Sequence, residues 1–363
     1  MKKYLLILFF SGFLIPAKAR QQSWYRCYAA TIGQYPIMLH LHKLGPSVTG
    51  YYYYLRTGQP VFFTGNDTTG GDQKTRLFAY HAGPGYNQEI FTLALGETGL
   101  SGTWSNKDSS TLAVSGTLAN TPLKFDMLMV TGKEALRQGS ESSPHATYEA
   151  ATVWPAGNTG PAAAIRKHIA GIFGTKENTN DIQGAIQREK ERFLSAYREA
   201  NKNVADSEWA EYGFTYNNDE TKHLLVVYQS AEWLTLAAWH YSYMGGAHGN
   251  YATDYTVLHA KNGTAAKIED ILLPSGKKQL PGLLEKAFRR QYQLTAGEKL
   301  SDGGLFDDSI VPNDNFYLTE KGIGFSYAPY EIAPYALGQI DLFVPFSLLK
   351  NYLQPGFRKK MGL

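Results

Sequence analysis

Two segments of the chain combine residue types that suit the recognition of sugars or protein surfaces. Tyrosine and histidine join apolar area to a polar tip, and glycine adopts the positive φ angles of a sharp turn. The first segment holds a tyrosine, a glycine pair and a histidine, and the second holds a glutamate and two tyrosines: Tyr243, Gly245, Gly246 and His248, then Tyr330, Glu331 and Tyr335. We predict that they form one binding surface; the alternative is a structural bulge with His248 bonded to a buried carbonyl.

The sequence contains none of the common catalytic signatures. It has no Gly-x-Ser-x-Gly elbow, no His-Glu-x-x-His motif and no phosphate-binding loop. Asp307 and Asp308 lack the His-x-x-x-His pair with which a metal-dependent deacetylase would accompany them. We therefore expect no catalytic residue and no cofactor. Asp341 and Glu331 keep a glycan hydrolase open as an alternative, because two suitably spaced carboxylates can cleave a glycoside.

One cysteine and two histidines near the N-terminus are further candidate site residues. Cys27 is the single cysteine, so the fold does not depend on an internal disulfide. His40 and His42 lie two residues apart on a predicted strand and therefore face the same way, as metal ligands do. Because no third ligand follows at suitable spacing, we expect no metal site and place both histidines on an exposed face of an antiparallel sheet.

The N-terminus resembles a secretory signal. Lys2 and Lys3 precede an apolar run that ends at Ile15, and Ala17-Lys18-Ala19 supplies small residues for cleavage. We expect residues 1–19 to be removed and the product to be periplasmic or extracellular and soluble, with no transmembrane anchor. The three lysines equal the formal net charge of +3, so the remaining chain is neutral. A neutral chain lacks the basic footprint of a nucleic-acid-binding protein.

Composition divides the chain into two parts. Short alternating runs broken by Gly, Asn and Asp predict a small antiparallel barrel or sandwich. Tyr51 to Tyr54 place aromatic side chains on both faces of one strand, so at least two of the four are expected in the core. Gly, Ser, Pro and Ala then become concentrated. We predict a β-rich domain over residues 20–132, a linker over 133–160 and a second domain over 161–357.

The second domain is predicted to be an α+β domain, with helices packed on an antiparallel sheet. One helix begins at Pro161 and ends at Gly174, and another is capped by Asn180 or Asp181. Asn262-Gly263 predicts a hairpin in which the strand from Tyr251 to His259 is followed by a second strand through Ala265, Lys267 and Glu269.

The order of these elements resembles a known family. The segment Tyr241 to Asn250, the hairpin and helix that follow, and the loop Ala328 to Tyr335 are similar to the domain of unknown function at the extracytoplasmic end of the anti-sigma factor RsiV. The same domain stands outside the catalytic part of the peptidoglycan deacetylase PdaC. The resemblance covers roughly residues 161–353 and leaves the N-terminal β domain unmatched.

The resemblance implies a role in binding. In RsiV this kind of domain binds lysozyme, so the expected partner is a lysozyme-type protein or peptidoglycan, and the expected function is that of an exported cell-envelope binding protein. The anti-sigma segment and its membrane helix are not found in this sequence, so transmembrane signalling is not implied. Two alternatives stay open: an apolar ligand held in the β domain near Tyr51 to Tyr54 and Trp104, and the glycan hydrolase.

Overall fold

A computed structural model describes most of the chain. The described residues are 23–68, 74–81, 87–108, 110–137, 139–140, 143–175, 181–205, 207–208 and 213–363. The predicted signal, residues 1–19, lies outside them. No helix within these ranges is both long enough and apolar enough to cross a membrane.

The N-terminal part is a closed barrel of eight strands, so the prediction of a barrel or sandwich is confirmed as a barrel. Each strand pairs antiparallel with the next, and β1 also pairs with β8. The strands are β1 Trp24–Ile32, β2 Tyr35–Leu44, β3 Ser47–Tyr54, β4 Val61–Asp67, β5 Thr75–His81, β6 Asn87–Leu95, β7 Gly99–Ser105 and β8 Thr111–Leu118. Closure satisfies the backbone groups that an open sheet would leave at its edges.

Side chains fill the interior of the barrel. A cluster of 15 buried apolar residues occupies it, with Tyr52, Phe63 and Phe91 fully buried at its centre. Successive residues of β3 point to opposite faces, so Tyr52 lies inside while Tyr51 and Tyr53 are buried against the rest of the protein. The apolar-ligand alternative needs the space that these side chains occupy.

A five-stranded mixed sheet follows, in the order β13-β12-β11-β10-β9. Its strands are β9 Phe125–Ala135, β10 His145–Pro155, β11 Asn218–Gln229, β12 Trp233–Met244 and β13 Asn250–His259. All neighbours are antiparallel except β10 and β11. Strand β10 lies within the segment 133–160, for which the sequence predicts an irregular linker; where one domain ends and the next begins stays a prediction.

Within the described residues, the connection between β10 and β11 contains two long helices, as parallel pairing requires a long crossover. They are α1 Gly160–Ile172 and α2 Ile182–Asn201. Thr159 caps α1 by accepting a hydrogen bond from the backbone N–H of Ala162, and Asp181 caps α2 by accepting one from that of Gly184. Helix α1 packs on β10, and α2 packs on β9 and β10.

The C-terminal part adds a three-stranded antiparallel sheet and four short or medium helices. The strands are β14 Phe316–Leu318, β15 Gly322–Tyr327 and β16 Ile340–Pro345; the helices are α3 Ile268–Ile271, α4 Pro274–Tyr292, α5 Phe346–Leu349 and α6 Pro355–Met361. Apolar side chains from both layers form the largest buried cluster, which includes Trp233, Phe288 and Phe325. The α+β prediction is confirmed.

The hairpin at Asn262-Gly263 has only one of its two predicted strands. Gly263 has a φ of 67°, as the turn requires, and β13 precedes it. The predicted outgoing strand is wrong, because only Ala265 pairs with β13, through an isolated bridge to Leu258. The Asp270 carboxylate accepts a hydrogen bond from the backbone N–H of Lys267 at 2.8 Å, and this contact starts the helical turn α3.

His40 and His42 are buried, so their predicted exposure is wrong. Strands β2 and β3 of the barrel pack against β11, which covers the outer face that carries both rings. The Val226 N–H donates a hydrogen bond of 2.9 Å to His42 Nε2, and the Tyr25 hydroxyl lies 2.8 Å from His40 Nδ1. Burial lowers the pKa of His40 to about 3 and that of His42 well below its usual value.

Candidate functional site

The two segments that the sequence singled out meet in the structure. The turn between β12 and β13 contains Gly245 at φ 84° and Gly246 at φ 96°, so the predicted use of positive φ is confirmed. A side chain at Gly245 would have its Cβ 2.4 Å from the Thr215 carbonyl oxygen, whereas Gly246 faces open space. The turn therefore needs glycine at both positions. Gly246 is required for its backbone conformation, and Gly245 is required both for its conformation and for its close packing.

Three aromatic rings stack where the turn reaches the second segment. The His248 ring is stacked on Tyr335, with 4.0 Å between ring centroids, and lies 6.5 Å from Tyr330. The Tyr335 hydroxyl donates a hydrogen bond of 2.8 Å to the Gly249 carbonyl, and the Tyr251 ring meets Tyr335 edge-on at 5.9 Å. We call His248, Tyr251, Tyr330 and Tyr335 the aromatic surface.

The loop Ala328 to Tyr335 holds Tyr330 outward. Tyr330 has a φ of 71° and is 55% exposed. The Glu331 carboxylate accepts hydrogen bonds from the Ala328 N–H at 2.9 Å and from the Asn313 amide at 2.8 Å. Because both of its oxygens are bonded within the protein, Glu331 shapes the loop. Tyr330 is the large aromatic side chain that the loop exposes to solvent.

Tyr243 has a different position from the other predicted contacts. Its hydroxyl donates to the Gly246 carbonyl at 2.9 Å and lies 3.3 Å from the Phe214 carbonyl. Near these contacts the side chains of Phe214 and Met244 are 59% and 55% exposed. Tyr243 thus holds the turn beside a small exposed apolar patch. We call Phe214, Met244 and Tyr330 the apolar tip.

A groove of about 380 Å³ continues from the aromatic surface. Its wall includes Tyr251, which also belongs to that surface, and five more aromatic side chains from the barrel, the mixed sheet and the C-terminal sheet: Tyr51, Phe62, Trp239, Tyr255 and Tyr317. A volume in this range and a mainly aromatic lining are typical of small-ligand sites. We call this cavity the aromatic groove.

Three polar side chains interrupt the aromatic lining: Thr253, Gln339 and Asp341. Asp341 and Gln339 both line the groove, and the Gln339 amide donates to the two carboxylate oxygens of Asp341 at 3.3 and 3.2 Å. Burial raises the pKa of Asp341. Glu331 does not line the groove, so the carboxylates considered for a glycan hydrolase do not share this cavity.

The sequence singled out His248, Tyr330 and Tyr335 of the aromatic surface, but neither Tyr251 nor the groove. Trp239 and Tyr241 share one face of β12 with Tyr243, and their rings are stacked with 6.2 Å between centroids. Aromatic residues at every second position of this strand indicate one aromatic face, and this pattern could have predicted that Trp239 lines a site. The sequence could not predict that Tyr51 and Phe62 line the groove, because no local pattern shows which outer face of the barrel packs against the rest of the chain.

The fold and the site describe a β-barrel protein with a following α+β part that carries a solvent-facing cluster of aromatic side chains. Residues 269–347 match the model of a family described as "Protein of unknown function (DUF3298)". The matched range contains Tyr330, Glu331 and Tyr335 but not His248. A comparison with curated proteins gives no match.

Two solved structures are similar to this one. A member of the DUF3298 family from Bacteroides fragilis is 24% identical, with a TM-score of 0.59 over 67% of this chain and 97% of that chain. A DUF3298 family protein from Pseudomonas aeruginosa is 15% identical, with a TM-score of 0.42 over 64% of this chain and 96% of that chain. At this level of identity, the first structure supports a shared fold.

Proposed function

We propose that this chain is an exported binding protein of the cell envelope that recognises a wall glycan such as peptidoglycan. The observation that carries the proposal is the continuity between the aromatic surface and the aromatic groove, which share Tyr251. Export is supported by the signal-like N-terminus, and the wall as a location by the resemblance to the RsiV and PdaC domain.

The chemistry of the groove suits a sugar chain. A sugar ring has apolar C–H faces that pack on aromatic rings, and hydroxyl groups that need hydrogen-bond partners at its rim. Trp239 and Tyr255 supply the ring faces, and Asp341 and Gln339 supply the polar groups. The exposed Tyr330 and His248 extend the same kind of lining outward, so a chain of several sugars has contacts beyond the groove.

A lysozyme-type protein is the second candidate partner. The apolar tip supports it, because Phe214, Met244 and Tyr330 are each more than half exposed and project at one end of the mixed sheet. Exposed aromatic and methionine side chains are enriched at protein interfaces. Partner and glycan would then use neighbouring parts of one surface, with Tyr330 common to both.

Calorimetry on residues 20–363 tests both candidates. The mature chain is titrated with soluble peptidoglycan fragments and, separately, with lysozyme, and reducing ends are measured in the same samples. We expect the fragments to bind and Phe62→Ala to weaken their binding about tenfold or more, because a ring of the groove wall is lost. Tyr35→Ala, a 49% exposed aromatic of the barrel outside the groove, serves as the control.

The outcomes separate the candidates. Binding of fragments without new reducing ends supports glycan recognition, and new reducing ends would instead indicate the hydrolase. Binding of lysozyme that Met244→Ala weakens and Phe62→Ala leaves intact supports the protein partner. If neither titrant binds, the proposed function is wrong.

A further inference from the structure

The aromatic groove is one end of a longer trench. A cavity of about 310 Å³ shares Pro60, Phe62 and Asp341 with the groove. A third cavity of about 730 Å³ shares Gln59 and Arg290 with the second. Since neighbouring cavities have walls in common, the three lie in series along the seam between the barrel segment 56–62 and the C-terminal part.

The far end of this trench is basic. Four cationic side chains line the third cavity, with no acidic side chain among its lining residues; they are Arg56, Arg290, Lys321 and Lys350. Lys321 pairs with Glu320 at 3.0 Å. Arg56, Arg290 and Lys350 are exposed and form no ion pair within the described part of the chain. Three exposed cationic side chains therefore border this cavity, together with the C-terminal residue Leu363.

These cations come from three separate parts of the fold. Arg56 follows β3 of the barrel, Arg290 lies in the last turn of α4, and Lys350 follows α5. Phe343, Pro345 and Phe346 form an apolar wall between them. Cationic side chains that border one cavity create a positive local potential, which favours an anionic occupant.

The two ends of the trench differ in what they accept. The aromatic end offers the Asp341 carboxylate and the Gln339 amide, which can form hydrogen bonds with sugar hydroxyl groups. An anionic group placed beside Asp341 would be repelled by its ionised form, whereas the basic end offers guanidinium groups that bind carboxylate or phosphate through two parallel hydrogen bonds.

We infer that the trench binds an acidic glycan, with neutral sugars on the aromatic end and carboxylate or phosphate substituents on Arg56, Arg290 and Lys350. This inference rests on the proposed function, since it names the class of glycan that the same site takes. It adds a second subsite, the basic cavity, to the aromatic groove.

Two oligosaccharides of equal length test the inference by calorimetry. Chitohexaose is neutral, and a hyaluronan hexasaccharide carries a carboxylate on every second sugar. We expect the acidic hexasaccharide to bind the mature chain about tenfold more tightly, because charge-assisted hydrogen bonds are stronger than neutral ones. The preference should shrink as salt is raised from 50 to about 500 mM, since the cations are exposed.

A triple substitution tests the basic cavity itself. Arg56→Gln with Arg290→Gln and Lys350→Gln is expected to abolish the preference for the acidic chain while chitohexaose binding is retained. The control is Arg192→Gln with Lys278→Gln and Lys286→Gln, which removes the same charge from exposed helix positions that do not line the trench. The control should keep the preference. Urea denaturation confirms that both variants are folded.

The outcomes distinguish this inference from the function on which it rests. Equal binding of the two hexasaccharides, or a preference that both triple variants lose alike, overturns the basic subsite and leaves glycan binding standing. Binding of neither hexasaccharide nor peptidoglycan fragments removes both. If free glucuronate or inorganic phosphate binds as tightly as the acidic hexasaccharide, the basic cavity takes a small anion and the acidic-glycan inference is wrong.

Discussion

At the scale of single residues, Tyr330 stands out because its conformation has an energetic cost. A non-glycine residue with φ near 70° is strained by about 1 kcal/mol or more, and Tyr330 has a φ of 71°. Its ring is also 55% exposed, so burial does not offset that cost. Strained residues of this kind are concentrated at functional sites.

Alanine at Tyr330 is expected to weaken ligand binding without unfolding the protein. Loss of an exposed ring should change the free energy of unfolding by less than about 1 kcal/mol, while loss of an aromatic contact should weaken glycan binding about tenfold. Tyr335→Ala is the comparison: its ring is stacked and its hydroxyl is bonded, so it should also lower stability, by about 1–3 kcal/mol. Urea denaturation and calorimetry measure the two quantities. Unfolding of Tyr330→Ala would make this residue structural.

The glycine pair gives a prediction that separates conformation from packing. Gly246→Ala is strained only by its φ of 96°, which costs about 1–2 kcal/mol. Gly245→Ala has the same strain and also brings Cβ within 2.4 Å of the Thr215 carbonyl oxygen, so it should destabilise the protein more. Thermal unfolding of the two variants provides the test, and equal losses would contradict the close contact.

At the scale of elements, strand β4 shows how one strand serves both stability and the site. Phe63 points into the barrel and is fully buried, whereas its neighbour Phe62 points outward, is 41% exposed and lines the aromatic groove. The alternation follows from strand geometry, and it means that adjacent phenylalanines have different roles.

Substitutions at these neighbours should have opposite consequences. Phe63→Ala leaves a cavity in the barrel core and is expected to lower the free energy of unfolding by about 3–5 kcal/mol. Phe62→Ala should cost less than about 1 kcal/mol and act on ligand binding instead. Chemical denaturation measures the stability of both variants, and calorimetry measures their ligand binding. A large stability loss at Phe62 would show that the outer ring is part of the core.

Much of each element could be predicted from local patterns, but closure and contact between elements could not. The cap of α2 at Asp181, the glycine turn and the alternation of Tyr51 to Tyr54 are local and were confirmed. Pairing of β1 with β8 joins residues such as Tyr28 and Leu118, and no local pattern encodes that partnership. The basic cavity could not be predicted for the same reason, since Arg56 and Lys350 are far apart in sequence.

At the scale of the whole molecule, the barrel and the mixed sheet are joined through buried polar groups. His42 accepts a hydrogen bond from Val226 across this interface, and Gln229 donates one of 2.9 Å to the Tyr25 hydroxyl. An accepting imidazole must be neutral at that nitrogen, so the interface depends on unprotonated histidines.

Acid should therefore destabilise the protein before its carboxylates titrate. The pKa of His40 falls from 6.5 to about 3 on folding and that of His42 also falls. The unfolded chain binds more protons below pH 6.5, so the free energy of unfolding decreases as the pH falls from there towards 3, by about 1.4 kcal/mol per pH unit for each histidine. Urea midpoints at pH 7 and pH 5 measure the loss.

Variants identify the groups responsible. His42→Gln keeps an acceptor for Val226 but does not titrate, so the loss between pH 7 and pH 5 should shrink by about 2 kcal/mol. His240→Gln, which changes an exposed histidine of β12, should leave the loss unchanged. An identical pH dependence of stability in the unsubstituted protein and both variants would show that other groups govern acid stability.

The closed barrel also sets an order of events during synthesis. It uses only residues 24–118, so it can close while the rest of the chain is still being made. Part of the barrel's apolar outer wall, on β2 and β3, packs against β11, and β11 begins at Asn218, about 100 residues later. At about 5–20 residues per second the nascent chain exposes this apolar wall for roughly 5–20 s. During that interval a chaperone could bind the uncovered side of the folded barrel.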